Sequence, residues 1–411
     1  MVASLALAKQ GFEVHLLEKE TELGGNLRHI HYTLEGLDPQ ATLKKIIDEV
    51  ESNQLIQVHK GVEIKDMSGY VGNYKTRIKT RLSSGLQPPD QNQGESELEH
   101  GIIIVATGAK TYEPGEYLYG KDPRVLTQKE LEEKIATNDS EISNYQHVVM
   151  IQCVGSREEK RPYCSRICCS QAIKNALKLK AANPNSSIFV LYRDLRTYGF
   201  REEYYQRARN EGVIFVRYEP DNSPEVRVEN GLLKVLFTDL ILGERLMISP
   251  DLLVLSTGIV PGENESLAKI VKVPLTSDNF FLEAHAKLRP VDFATDGIFL
   301  CGLAHSPRFI EESISQANAA AARAATLLTK DHLEAMGIVV GVKERWCSGC
   351  GLCVLVCPYE AREIDPETGT ARVTEVLCQG CGACAVACPN GATEQKSFEK
   401  KQILSMIEAA L

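Results

Sequence analysis

The pattern Cys347-x2-Cys350-x2-Cys353-x3-Cys357-Pro358 returns as Cys378-x2-Cys381-x2-Cys384-x3-Cys388-Pro389. Nothing else in the chain constrains its fold so tightly. In the bacterial two-cluster arrangement the first three thiolates of each run hold one [4Fe-4S] cube, and the fourth crosses to the other. The expected sets are therefore Cys347, Cys350 and Cys353 with Cys388, and Cys378, Cys381 and Cys384 with Cys357. The small residues Gly349, Gly351, Gly380 and Gly382 permit the tight backbone, and Pro358 and Pro389 end each array. Zinc prefers ligands grouped in two C-x2-C pairs, so this order with Cys-Pro twice reads as iron–sulfur.

These eight belong to thirteen cysteines, an odd number that leaves one unpaired in any all-disulfide scheme. Such usage points to an intracellular chain that holds metal. The net charge of −9 disfavours nucleic acid and anionic membrane as partners. No run of residues is long and apolar enough to span a bilayer, and 411 residues call for two or three domains. The opening Met-Val-Ala-Ser-Leu-Ala-Leu-Ala has no basic segment before it and runs on through Lys9 and Glu13, so it reads as a helix and not a secretion signal.

Val2, Leu5, Ala6 and Ala8 recur at helical spacing over 2–10, Gly11 closes the helix, and 12–17 follows as a strand ending at Glu18. That is the back half of a βαβ unit, in which a strand-terminal acid holds ribose hydroxyls and a Gly-rich turn before the helix receives the pyrophosphate. The first strand and that turn are expected to be absent from this stretch. Three explanations are open: a start set too late, a strand supplied by another polypeptide, or lost flavin binding. The segments 102–109 and 251–259 both read as a buried strand running into a small-residue turn, which suggests two similar sheet domains. Between them, 147–153, 168–182 and 187–192 read as strand, helix and strand. The polar stretch 83–97 reads as a mobile hairpin tip, 297–302 as a strand and turn, and 310–328 as an Ala-rich helix before the cysteine-rich tail.

Glu18 six residues before Gly24-Gly25, then Thr107-Gly108, then Gly302 before the Ala-rich helix together resemble the two-dinucleotide-domain flavoproteins of the thioredoxin reductase type. The resemblance implies that Glu18 contacts the adenosine ribose of FAD and that Gly24, Gly25 and Asn26 lie along the cofactor. It further implies that Val62 meets the adenine through its backbone, that Thr107 and Gly108 close the pocket, and that Ser315, Gln316 and Ala317 at the helix start face the flavin pyrimidine. One departure is Leu303, which stands where those reductases have Asp. The turn at 153–157 should cradle a nicotinamide pyrophosphate, yet it reads Cys-Val-Gly-Ser-Arg, and nicotinamide binding there is expected to be abolished.

Cys153, Cys164, Cys168 and Cys169 gather at that turn. Adjacent Cα atoms are too close for an easy disulfide, so an additional cluster is the better reading of Cys168-Cys169. At this point the whole chain resembles the A-type subunits of heterodisulfide reductase and their bacterial relatives, including the equivalent subunits of benzoyl-CoA reductase complexes. The residues that carry this are Leu23-Gly24-Gly25, the run 152–157, the run 163–169, Gly302 with the run 316–323, and the double array. The family implies a cytoplasmic flavoprotein electron hub that docks other oxidoreductase subunits, takes part in flavin-based electron bifurcation, and ligates a [4Fe-4S] cluster with a lone cysteine and a C-x3-C-C run. That carries over to Cys153, Cys164, Cys168 and Cys169.

The expected architecture is α/β: an FAD-binding domain at 1–146 and 263–330, a second Rossmann-like domain at 147–262 carrying the further cluster, and a linker with a two-cluster ferredoxin domain at 331–411. Arg157, Lys160, Arg161 and Arg166 read equally as cations that raise a cluster's potential and as a solvated loop. Cys301 reads as a small buried side chain, and His29 and His31 as polar loop residues. Two rival functions are a flavin-free iron–sulfur relay and an NAD(P)H-dependent disulfide reductase. The second needs a C-x2-C near the flavin and an intact cradle, and the chain has neither.

Overall fold

The computed structural model describes residues 1–80, 94–137, 139–333 and 338–411. The most apolar strands meet in one parallel five-stranded sheet, ordered Val213–Arg217, Ser187–Tyr192, His147–Val154, Leu252–Thr257 and Val125–Thr127. Leu252–Thr257 is buried at every position, as a strand covered on both faces must be. Helix Cys168–Ala182 covers one face, with Ala172, Ile173 and Ala176 against Met150 and Val254. A three-stranded antiparallel sheet, Glu225–Glu229, Leu232–Asp239 and Glu244–Ile248, covers the other through Leu233, Val235 and Phe237.

The expected domain boundary between 146 and 147 moves. Val125–Thr127 pairs with Leu253–Leu255 inside this sheet, and helix Gln128–Ala136 packs beside it. That helix starts with a capping box, in which the Thr127 hydroxyl accepts from the Glu130 N–H and the Glu130 carboxylate accepts from the Thr127 N–H.

The other dinucleotide-type lobe is built from two separate parallel pairs, Val14–Leu17 with Ile56–His59 and Ile103–Val105 with Ile298–Leu300. No ladder joins the two pairs among the described residues. Helix Val2–Ala8 packs on helix Ile310–Leu328, burying Ala3 and Leu7 against a row of alanines at 317, 320, 321 and 324. Val62–Tyr70, Asn73–Thr80 and Glu95–His100 form an antiparallel sheet. Of the stretch read as a hairpin tip, 83–93 lies outside the described residues, whereas Glu95–Glu97 belong to a strand.

The two similar strand-turn segments do more than resemble each other. Their ends, Ala109–Thr111 and Ile259–Pro261, pair antiparallel and carry both chain crossings between the lobes. Beyond the Ala-rich helix, Val340–Val342 pairs with Thr393–Gln395, and Arg362–Ile364 with Ala371–Val373, giving a small module joined to the first lobe by the Lys272–Glu360 ion pair (2.7 Å). No described helix is long and apolar enough to cross a membrane.

Candidate functional site: three cysteine sets and a split nucleotide lobe

In the small module the short helices Leu352–Leu355 and Ala383–Ala387 each start at a glycine with positive φ, Gly351 (77°) and Gly382 (76°). One turn earlier, Gly349 and Gly380 are equally constrained. A Cβ there would stand 2.3 Å from the Gly369 carbonyl oxygen and 2.5 Å from that of Ile338. These turns aim the cysteines inward. Cys347, Cys350, Cys353 and Cys388 line a single cavity, so the fourth cysteine of the second array joins the first three of the first. Cys384 has Cys357, Cys378 and Cys381 as thiol neighbours, and burial pushes it upward from its ordinary pKa. Both crossed sets expected from spacing are thereby brought together.

In the five-stranded sheet, strand His147–Val154 ends by turning Cys153 into the left-handed region (φ 64°), and helix Cys168–Ala182 starts with Cys168 and Cys169 buried. Cys153 faces Cys169 and Cys164, and burial pushes its thiol up to about 11. Cys168 is also raised, by its hydrogen bond to Cys169 and by burial, while Cys169 is lowered because it accepts from Cys168 and from the Arg196 N–H. The Arg166 N–H donates to the Cys164 sulfur (3.3 Å). Burial thus opposes the ionisation of Cys153 and Cys168, a cost that bound iron relieves. Around them the buried Arg157 Nη1 and Arg193 Nε have no acceptor in the protein, as donors facing cluster sulfides do.

The basic residues here divide. Arg157 lies beside Cys153 and pairs with Asp194 (2.7 Å), and Arg161 pairs with Glu158 while lying over the Tyr112 ring. Arg166 pairs with Glu312 (2.6 Å) across the lobes, and Lys160 is exposed. The turn expected to be the nicotinamide cradle has Tyr112 packed against it: a Cβ on Gly155 would stand 2.0 Å from that ring.

The flavin-type residues cluster in the other lobe. Glu18 ends its strand, and its carbonyl accepts from the Val62 N–H (3.1 Å), so an adenine contact at Val62 would use the carbonyl side. Gly24 and Gly25 both have positive φ, and Asn26 donates to the Ala109 carbonyl (2.7 Å), tying that turn to Thr107-Gly108. Thr107 is exposed, two residues beyond the strand Ile103–Val105. The Met1 amino group is buried beside Cys301 and Glu18, which puts the strand ends at 18 and 301 around the start of helix Val2–Ala8.

One expectation needs correction: Ser315, Gln316 and Ala317 lie in the second turn of helix Ile310–Leu328, not at its start. Ser315 is exposed and donates back to the Glu311 carbonyl, Ala317 is buried in the lobe's core, and Gln316 accepts from the Gly302 N–H (2.9 Å) while meeting His305 (3.0 Å). Gln316 therefore shapes the Gly302 turn, a role its position in the sequence does not announce. Cys301 is buried, and burial pushes its thiol up to about 11. His31 pairs with Glu133 of the other lobe (2.8 Å).

Two dinucleotide-type lobes and a doubled cysteine module define the class: an oxidoreductase of flavoprotein-reductase fold with an iron–sulfur domain. Thioredoxin reductase from Lactococcus lactis superposes with a TM-score of 0.52 at 17% identity, over 80% of this chain and 94% of that one. Thioredoxin reductase from T. acidophilum gives 0.50 at 16% identity, over 80% and 93%. Residues 346–402 match the 4Fe-4S dicluster domain family. The chain is 33% identical to the A-type subunit of the H(2):CoB-CoM heterodisulfide,ferredoxin reductase of Methanothermobacter marburgensis, covering all of itself and 74% of that protein. It is 34% identical to the second iron-sulfur A-type subunit of the CoB--CoM heterodisulfide reductase of Methanopyrus kandleri, over 89% of this chain and 68% of that one. The chain belongs to the family of heterodisulfide reductase A-type subunits, and it is an electron-transfer subunit of an oxidoreductase.

Proposed function

We propose that this chain binds FAD in the first lobe, carries a [4Fe-4S] cluster on Cys153, Cys164, Cys168 and Cys169, and passes electrons between the flavin and the two ferredoxin cubes within a cytoplasmic complex of oxidoreductase subunits. A bound flavin exchanges electrons in pairs or singly, and a cube handles one at a time. The observation that carries the reading is the convergence of four cysteines where a nicotinamide would otherwise sit, on the side latched to the flavin-type lobe by Arg166 and Glu312.

Within this reading the chain's residues have distinct tasks. Glu18 holds the ribose and Asn26 clamps the Gly24-Gly25 turn against Ala109. Gln316 holds Gly302 in its positive-φ turn beside the flavin. Tyr112 excludes nicotinamide, so reducing equivalents arrive from a partner subunit rather than from a dinucleotide bound at 153–157. Splitting electron pairs between acceptors of different potential is the activity we assign to the assembled complex.

Anaerobic purification with native partners, followed by counting FAD and iron, tests this. One FAD with about twelve irons, three cubes' worth, is expected. About eight irons would remove the set at 153–169. Iron without flavin, even with partners present, would leave an iron–sulfur relay.

A further inference from the structure

The two arrays of the small module are near copies, and their continuations match as well: Cys357-Pro-Tyr-Glu-Ala-Arg362 against Cys388-Pro-Asn-Gly-Ala-Thr393. The copies part at the final position. Arg362 and Thr393 are equivalent residues, each opening a strand, and they meet across the pseudo-symmetry, the Arg362 Nη2 donating to the Thr393 Oγ1 at 3.1 Å. Thr393 in turn lines the same cavity as Cys388. On its other side Arg362 is near enough to Cys384 to act on its thiol.

Arg362 is only 4% exposed. A guanidinium so deeply placed needs a carboxylate or a full set of acceptors. No carboxylate pairs with it among the described residues, and its Nε and Nη1 are buried without a hydrogen-bond acceptor in the protein. A buried, uncompensated cation between two sets of four thiols is costly unless negative charge lies against it. Two four-thiolate cubes are net negative, and their sulfurs accept hydrogen bonds.

We propose that Arg362 is a buried positive charge set between the two cubes, raising the midpoint potential of the one held by Cys357, Cys378, Cys381 and Cys384 more than that of the other, which it reaches through Thr393 and Cys388. One-electron reduction of a cube adds one negative charge to it while the ligands stay the same. A fixed cation in a poorly screened interior favours that reduced state. Because the repeat supplies Arg at one position and Thr at its equivalent, the charge breaks the symmetry of an otherwise doubled site and ranks the two cubes as electron acceptors. Arg362 is a positioning residue for charge, with no contact to any substrate required.

The inference rests on both cubes being present in the tail, so the full chain is first purified anaerobically and both ferredoxin-type signals are confirmed by electron paramagnetic resonance. Their absence would sink the cluster reading itself, a failure separate from this one. Redox titration of Arg362→Gln should then shift the reduced-to-oxidised ratio of one cube at least tenfold toward oxidised at a fixed poise, about 59 mV for a one-electron couple, with a smaller shift in the second. Thr393→Val should move mainly the second cube. If Arg362→Gln retains both signals at unchanged midpoints, the proposal is wrong. If it loses iron, Arg362→Lys decides: two intact signals near their original midpoints support a role in charge, and loss of iron there too shows a role in shape alone.

Discussion

The two cysteine regions solve the same chemical problem with opposite means. The set at 153–169 hangs from a sheet whose central strands, His147–Val154 and Leu252–Thr257, are buried over most of their length, and it takes its four thiols from a strand end, a loop and the start of a long helix. The paired sets at 347–388 sit in a module whose buried core is little more than Val340, Cys353, Ala371 and Cys384, and with Cys347, Val354, Ile364 and Cys378 packed against them half of the cluster's residues are cysteines of the arrays. In the first region the protein makes the site. In the second the cubes help make the protein.

Removing iron should separate them most sharply. With an anaerobic chelator, hydrogen exchange over 340–395 should lose its protection, while 148–151, 188–191 and 252–255 keep theirs. Equal loss in both would erase the distinction. Next comes Gly155→Ala, which forces a side chain into the Tyr112 ring at a residue with φ 71° and should lower stability by about 3 kcal/mol in denaturant unfolding. Adding Tyr112→Ala should restore part of it. Full destabilisation in the double variant would mean that backbone strain dominates.

A smaller effect is expected where the buried set meets the flavin-type lobe. Glu312→Gln leaves Arg166 with Tyr198 and the Pro307 carbonyl, so about 1 kcal/mol should be lost, together with a change in the electron paramagnetic resonance line shape of the 153–169 cluster alone. The smallest is a pH effect. His305 and Glu283 form a largely buried pair at 2.8 Å. Burial lowers His305 from its ordinary 6.5, and Glu283 is also lowered, burial being outweighed by its backbone and His305 hydrogen bonds. Both groups bind protons more readily when unfolded, so the stability they contribute is full above 6.5 and is lost as pH falls below it. Unfolding midpoints at pH 7.5 and 5.5 should differ by a few tenths of a kcal/mol less in His305→Gln than in the parent.

Long periodic segments were legible in the sequence. Cys168–Ala182, Ser187–Tyr192 and Ile310–Leu328 have the bounds that periodicity predicts, since helix or strand period and burial coincide there. The strand Val125–Thr127 was not legible, being three residues long and defined by its neighbour in the sheet. Its sequel did leave a signal, the Thr-x-x-Glu of a capping box at 127–130. Cysteine spacing announced the three groups of thiols that the structure gathers, because such spacing is a local feature of the chain. Tyr112 against Gly155, Gln316 on the Gly302 turn and Arg362 between the arrays depend on contacts between distant segments, which no local pattern encodes.

Both polypeptide crossings between the lobes lie side by side in one ribbon, three residue pairs wide, where Ala109–Thr111 runs against Ile259–Pro261. Two strands tied together resist stretching and sliding but yield to twist, so the ribbon works as a torsion bar. Turning about it is resisted by side chains that bridge the lobes: Tyr32 with Asn175, Lys174 with the Tyr32 carbonyl, and the ion pairs Arg166–Glu312 and Arg201–Glu311.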